Sequence, residues 1–264
     1  MKKLYGKYGL PLKIEYCKKC TRSNQRPVSA QEFKQKAADN KAIVPLDSGI
    51  CNACHYAEIK KTIDWKNREK ELVELCDKHR KHDGSFDVLV PGSGGKDSIY
   101  VAHELKNKYG MNPVLATWAP NIQTKQGIQN FQAWIDDGFA NYMVYQNQKV
   151  HKTLTKLAFE ELCHPFQPFI IGQKNMDPRL ATQLGIDLIM FGEHDAEFGM
   201  GLDKMNVPTM DIDYFTVEDF NISDLFIGGL SVDVIMDKYK FSKSDLAAYL
   251  PIKKEDFNNS GAEF

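Results

Sequence analysis

The chain reads as an α/β protein: a doubly wound, mainly parallel sheet with a small cysteine-bearing module at its N-terminus. Three observations lead there. Short apolar runs alternate with helix-period segments between residues 86 and 192, the pattern of βα units that build a parallel sheet. The first run, Phe86-Asp87-Val88-Leu89-Val90, passes straight into the glycine-rich turn Pro91-Gly92-Ser93-Gly94-Gly95-Lys96-Asp97-Ser98. Two Cys-x-x-Cys pairs, Cys17/Cys20 and Cys51/Cys54, precede all of it.

Each Cys-x-x-Cys turn sets two thiolates on one side of the chain, and two such turns close a tetrahedral zinc site. Thirty residues separate Cys20 from Cys51, more than the roughly 15–20 common for this arrangement. The intervening stretch is polar and lysine-rich and can loop out. Residues 1–58 are therefore expected to form a zinc ribbon with a loose insertion around 21–48. Cys17, Cys20, Cys51 and Cys54 are its metal ligands, and four thiolates leave no open position, so the zinc is structural. His55 is a substitute ligand that such a site does not need; four unrelated free thiols are the plain alternative. Residues 59–83 place Ile59, Ile63, Leu72, Val73 and Leu75 among charges, a linking amphipathic helix in which Cys76 has a packing role.

Residues 84–264 form the main domain. A strand over 86–90 leads to a helix over 98–109 ended by Gly110. A second strand follows at 113–118, a helix at 127–138, a third strand at 141–145 and a helix at 150–162. Residues 168–172 read as a short apolar segment, 178–184 as another helix and 186–192 as a buried strand. In such sheets ligands sit beyond the carboxyl ends of the strands. That edge receives the loop 91–98, then Thr117, Trp118 and Asn121, then Gly172-Gln173-Lys174-Asn175, and then Glu193, His194, Asp195 and Glu197. Lys174 is a candidate phosphate contact, Glu193 a candidate ligand for magnesium or substrate, and His194 a candidate base. A solvated polar loop is the alternative for each alone.

The 264 residues carry a formal net charge of −1 and six cysteines. Near-neutral charge argues against non-specific nucleic-acid binding, which needs a broad basic face. No apolar run approaches the ~20 residues of a membrane span, and the start Met1-Lys2-Lys3-Leu4 has no hydrophobic signal core. A cytoplasmic protein is expected, in which cysteines serve metals or chemistry before disulfides.

The loop carries the chemistry. A strand entering a glycine-rich turn before a helix aims backbone N–H groups at one point, where the helix dipole also favours an anion. It is not a Walker A loop: Val90 stands where the first glycine belongs and Asp97 where Ser or Thr belongs. It is not the dinucleotide fingerprint either, since Gly92 and Gly94 are followed by Asp97 where the third glycine belongs. Ser-Gly-Gly-Lys-Asp-Ser after a strand resembles the PP-loop of the ATP pyrophosphatases, which split ATP between the α- and β-phosphates. On that resemblance Ser93, Gly94, Gly95, Lys96, Asp97 and Ser98 bind ATP and pyrophosphate, joined by Thr117 and Gly172. Lys96, Asp97, Lys174 and Glu193 are the catalytic candidates, with Asp97 holding Mg²⁺ or orienting the loop. An ordinary Gly/Ser turn is the bland alternative.

Further motifs narrow the resemblance. Tyr16-Cys17-Lys18-Lys19-Cys20-Thr21, Gly49-Ile50-Cys51-Asn52-Ala53-Cys54 and the loop stand in the order seen in the N-acetyl sugar amidotransferases. Thr117-Trp118-Ala119-Pro120, His164-Pro165-Phe166-Gln167-Pro168-Phe169, Gly172-Gln173-Lys174, Gly192-Glu193, Gly228-Gly229-Leu230-Ser231 and Tyr249-Leu250-Pro251 extend the likeness over nearly the whole chain. It implies ATP, Mg²⁺ and structural Zn²⁺, and an N-acetylated bacterial surface sugar, such as a nonulosonic (pseudaminic- or legionaminic-type) acid, as acceptor. The acetamido group becomes acetamidino, with release of AMP and pyrophosphate. Neither Cys76 nor Cys163 sits in a nucleophile elbow and Met1-Lys2 offers no N-terminal cysteine, so no glutaminase activity is expected. The resemblance supplies ammonia from a separate glutaminase subunit, with a cyclase-like channel subunit. Family members continue past Phe264 with an aromatic-rich segment, so either a truncated C-terminus or a shortened relative is expected. Two alternatives stay open. One is a tRNA-thiolating PP-loop enzyme with Cys163 carrying sulfur, although Cys163 by itself reads as a buried structural thiol; the other is a non-catalytic nucleotide-binding subunit.

Overall fold

A computed structural model of the chain describes residues 11–25, 46–193, 216–218 and 221–263. Near the N-terminus, Leu46–Asp47 (β1) pairs antiparallel with Ile50–Cys51 (β2). The Lys18 N–H donates to the Gly49 carbonyl at 2.9 Å, which ties this hairpin to the first cysteine turn. Asn52–Ile59 (α1) starts directly after Cys51, and a 3₁₀ turn at Lys60–Thr62 separates it from Trp65–His79 (α2). The single linking helix expected over 59–83 is thus divided. The reason is Asp64, whose carboxylate accepts the Lys66 and Asn67 N–H groups at 3.1 Å and begins a new helix. Leu72, Leu75 and Cys76 of α2 pack on the main sheet, and Cys76 has the packing role expected of it.

The main sheet holds Val88–Pro91 (β3), Pro113–Trp118 (β4) and Ala140–Val144 (β5), all parallel, with β4 in the middle. On the free side of β3, residues 187–190 run parallel to it: Leu89 N–H donates to the Leu188 carbonyl and Met190 N–H to the Leu89 carbonyl, both at 2.9 Å. Glu263 pairs with the outer side of this segment through Asp187 and Ile189. The strand expected over 186–192 is therefore reduced to isolated bridges at Leu188 and Ile189. The chain steps outward from β3 to β4 to β5 and then returns to lay 187–190 on the opposite side. The direction of winding reverses at β3, where a crevice opens at the carboxyl ends of the strands.

The connecting helices are Lys96–Asn107 (α3), Lys125–Asp136 (α4), Gln148–Leu162 (α5) and Gln167–Leu184 (α6). Thr124 caps α4 through the Gly127 N–H at 3.0 Å, and Asn147 caps α5 through Lys149 and Val150. Helix α6 differs from the expected separate apolar segment at 168–172 and helix from Pro178. One helix spans both. Pro168 suits the first turn, whereas Pro178 sits inside and cannot donate to the Lys174 carbonyl one turn earlier. Burial of Ile171, Met176 and Ala181 outweighs that lost hydrogen bond.

Side chains alternate cleanly between two cores. Val88, Val90, Leu115 and Leu188 pack with Ala102, Leu105 and Trp134, against α2, α3 and α4. Leu89, Val114, Ala116, Trp118 and Ile189 pack with Leu154, Leu157 and Ile171, against α5 and α6. Helices therefore cover both faces of the sheet. Each buried Val, Leu or Ile contributes about 1.5–3 kcal/mol over its exposed state, and a one-residue slip would exchange the two sets, so the register is firmly set.

The C-terminal part adds Thr216–Val217 (β6), Phe226–Ile227 (β7), Leu230–Ser231 (β8), Val232–Tyr239 (α7), Lys243–Leu246 (α8), Ile252–Lys253 (β9) and Lys254–Ser260 (α9). It locks α6 in place. Gln167 accepts the Gly228 N–H at 2.8 Å, and the Arg179 guanidinium donates to the carbonyls of Ala247 and Leu250.

Candidate functional site

The glycine-rich loop leaves β3 where the sheet reverses. Gly92 continues the ladder by donating to the Ala116 carbonyl at 2.9 Å, and its own carbonyl accepts the Thr117 hydroxyl at 2.6 Å. That hydroxyl in turn accepts the Asn141 amide at 2.9 Å. Thr117, expected to contact ATP, is fully buried and spends its hydroxyl holding the loop; it does not line the cavity described below. Gly94 turns the chain at φ +86°, a conformation suited to glycine. A Cβ on Gly92 would meet the Ser98 Oγ at 2.4 Å, so only glycine lets α3 approach. The N–H groups of Lys96, Asp97 and Ser98 open α3 and have no acceptor within the helix.

A cavity of about 300 Å³ lies beside this turn. One wall is Pro91, Gly92, Ser93, Gly95, Asp97 and Ser98; the second is Ile170, Gln173, Lys174 and Asp177 from α6; the third is Phe191, Gly192 and Glu193. Four of the predicted loop residues (Ser93, Gly95, Asp97 and Ser98) thus meet Lys174 and Glu193 around one space. Lys174 gets there from a helix rather than from the loop the sequence reading gave it. The Ser98 hydroxyl donates to the Gly95 carbonyl at 3.2 Å and shapes the turn.

Lys96 points outward. Its side chain is 88% exposed, pairs with Asp97 at 2.5 Å and stands outside the cavity wall; the Asp97 contact, helped by the charge of Glu193, raises its pKa. Gly172 is also outside the wall. A Cβ there would meet the Trp118 ring at 2.2 Å, so this glycine serves helix–sheet packing. Trp118 is buried in the core, and Asn121 is exposed on its loop. His194, Asp195 and Glu197 lie outside the described residues. Cys163, expected as a buried structural thiol, is instead exposed, because it ends α5 in a left-handed conformation, and it does not line the cavity.

Sequence reasoning missed Asp177. It is 3% exposed, its Oδ1 has no hydrogen-bond partner among the described residues, and burial pushes its carboxyl well above the usual carboxylate range. The available signal was the spacing 170, 173, 174, 177, one face of a helix, hidden by reading Pro178 as a helix start.

The second candidate site is the cysteine cluster. The sulfurs of Cys17, Cys20, Cys51 and Cys54 all lie within 4.8 Å of one another, with Cys17 and Cys54 at 3.8 Å and Cys20 and Cys51 at 3.5 Å. A tetrahedral zinc with Zn–S bonds near 2.3 Å needs sulfurs about 3.8 Å apart. The four thiols can hold one structural metal ion such as zinc; His55 is exposed and outside the cluster. Burial works against the Cys17 thiolate, yet N–H groups of Cys51, Cys20 and Lys19 outweigh it and bring its pKa down to about 6. Burial and the three neighbouring sulfurs push Cys54 up to about 12. A bound cation would resolve that conflict by ionising all four.

No family model matches the chain. A curated protein of Methanocaldococcus jannaschii, described as uncharacterized protein MJ1599, is 28% identical over 81 residues, or 31% of this chain and 29% of that protein. The match thus spans less than a third of that relative's length, and its description states no activity. Among the described residues no helix is long and apolar enough to cross a membrane.

Proposed function

We propose that the chain is an ATP-dependent, AMP-forming amidotransferase of the PP-loop type, acting on the N-acetyl group of a bacterial surface sugar. The supporting observation is the cavity at the carboxyl edge of the parallel sheet, where the Ser-Gly-Gly-Lys-Asp-Ser loop meets Lys174 and Glu193. An amide oxygen is a poor leaving group. Its attack on the α-phosphorus breaks the bond to the β-phosphate, releases pyrophosphate and leaves an imidate ester. Ammonia adds at the imidate carbon, the C–O bond breaks toward AMP, and an amidine remains.

The chain's own groups fit these needs. The first-turn N–H groups of α3 and the Ser93 hydroxyl receive the departing pyrophosphate, and Lys174 adds positive charge from the facing wall. Asp97 and Glu193 would hold magnesium, which would neutralise developing phosphate charge. Only the four cysteines form a set of three or more metal-ligating side chains among the described residues. Magnesium would therefore take its remaining ligands from phosphate and water, as it commonly does. The reading puts the protein in the cytoplasm, where ATP is available and thiols stay reduced, with ammonia from a separate glutaminase and channel subunit.

The test offers the chain ATP with N-acetylated nonulosonic sugars and ammonium, and in parallel ATP with tRNA and a sulfur donor. Amidine formation with AMP and pyrophosphate in the first arm supports the reading. Turnover only in the second arm, or ATP binding with no turnover in either, overturns it.

A further inference from the structure

Asp177 is the feature of the cavity that phosphate chemistry leaves unused. Its carboxyl is deep, whereas Ser93, Gly95 and Glu193 are exposed at the rim. Its position is imposed by α6, where Ile170, Gln173, Lys174 and Asp177 share one helical face along the wall opposite the loop. We propose that Asp177 forms the floor of a subsite for a small nitrogen cation, an ammonium ion, with the Gln173 side chain one turn earlier as a second acceptor. The proposal rests on the amidotransfer reading and assigns the position of its nitrogen donor.

Three considerations select ammonium over other guests. A phosphate's negative charge would hold the buried Asp177 carboxyl in its neutral form, whereas a cation favours the carboxylate. A divalent metal asks for six or more oxygens at short range, and among the described residues no trio of carboxylates surrounds Asp177. Ammonium needs only a negative charge and hydrogen-bond acceptors, and a buried carboxylate of this kind is stabilised by a partner that brings the missing charge. Burial is what raises the Asp177 carboxyl. An oxygen left unpartnered in a buried place is costly unless a ligand satisfies it.

The test is a titration of the full chain, labelled with ¹³C at aspartate carboxyls, with ammonium chloride against sodium chloride at equal ionic strength. Asp177→Asn and Asp177→Ser are both made, so that failure of one to fold leaves the other. Expected is a saturable shift of the parent's Asp177 carboxyl with ammonium only; line broadening of ¹⁵N-ammonium, followed in parent and variants alike, should show half-saturation raised by at least about tenfold in the variants. Binding of inorganic pyrophosphate to the loop stays intact in both. An Asp177 signal that ignores ammonium or follows sodium equally, or a variant that keeps the same ammonium affinity, overturns the proposal. No acceptor sugar or turnover enters this titration. If amidination fails while the ammonium shift is present, the reaction reading falls and the subsite stands.

Discussion

Gly192 lies against the first turn of α3 so closely that a Cβ there would sit 2.7 Å from the backbone nitrogen of Ser98. The neighbour is backbone, so it cannot swing aside. The contact joins the segment after Ile189 to the start of the helix whose N–H groups face the cavity. Gly192→Ala should push α3 outward, lowering stability by about 1–3 kcal/mol and weakening pyrophosphate binding. Urea unfolding and calorimetric titration with pyrophosphate check both effects; unchanged pyrophosphate affinity would show that the contact does not shape the loop.

Gly172→Ala sets two effects against each other. Alanine is the better helix former by about 1 kcal/mol, but its Cβ would fall 2.2 Å from the buried Trp118 ring. The clash should win, with net destabilisation and an altered Trp118 environment in near-ultraviolet circular dichroism. A stabilised variant would contradict this packing.

Asp177 also makes a pH prediction. Burial raises its folded-state pKa, so between the unfolded value near 3.9 and the folded one the native state holds more protons than the unfolded state. Stability therefore falls as pH rises through that window. Asp177→Asn should gain stability over the parent at neutral pH and lose that advantage in acid. Thermal melts at both pH values test it, with ~1 kcal/mol worth about 2–4 °C in a domain of this size.

The cysteine cluster should bind one zinc per chain. Cys17, with a pKa near 6, is already largely ionised at neutral pH, whereas Cys54 is not. Zinc binding should then release fewer than four protons per metal, and affinity should rise with pH. Cys54→Ser should lose zinc, as read by elemental analysis, while the far-ultraviolet spectrum of the α/β part persists. Full metal retention in that variant would count against four-sulfur ligation.

Much of this architecture is local and was legible. β4, the loop turn and the paired cysteines each depend on short patterns. The failures are non-local or masked. Residues 187–190 join the sheet through Leu89, as the apolar run suggests, but the pairing of Glu263 with their outer side comes from far along the chain and no local pattern shows it. Helix α6 was cut in two because Pro178 normally ends a helix, and packing on Trp118 and the C-terminal part overrides it. That error hid Asp177 and made Gly172 look like a loop residue. Thr117 stands at the correct edge, but nothing in the sequence reveals that its hydroxyl is taken by Gly92 and Asn141.

The loop and Asp97 are proposed to serve cleavage of ATP at the α–β bond. The most direct measurement is nucleotide product analysis with ATP, magnesium, an N-acetylated nonulosonic sugar and ammonium, for the parent chain and Asp97→Ala. Expected are AMP and pyrophosphate in equal amounts from the parent, and a rate on the order of 100-fold lower in Asp97→Ala. ADP and phosphate as products, or an undiminished rate in Asp97→Ala, would contradict it.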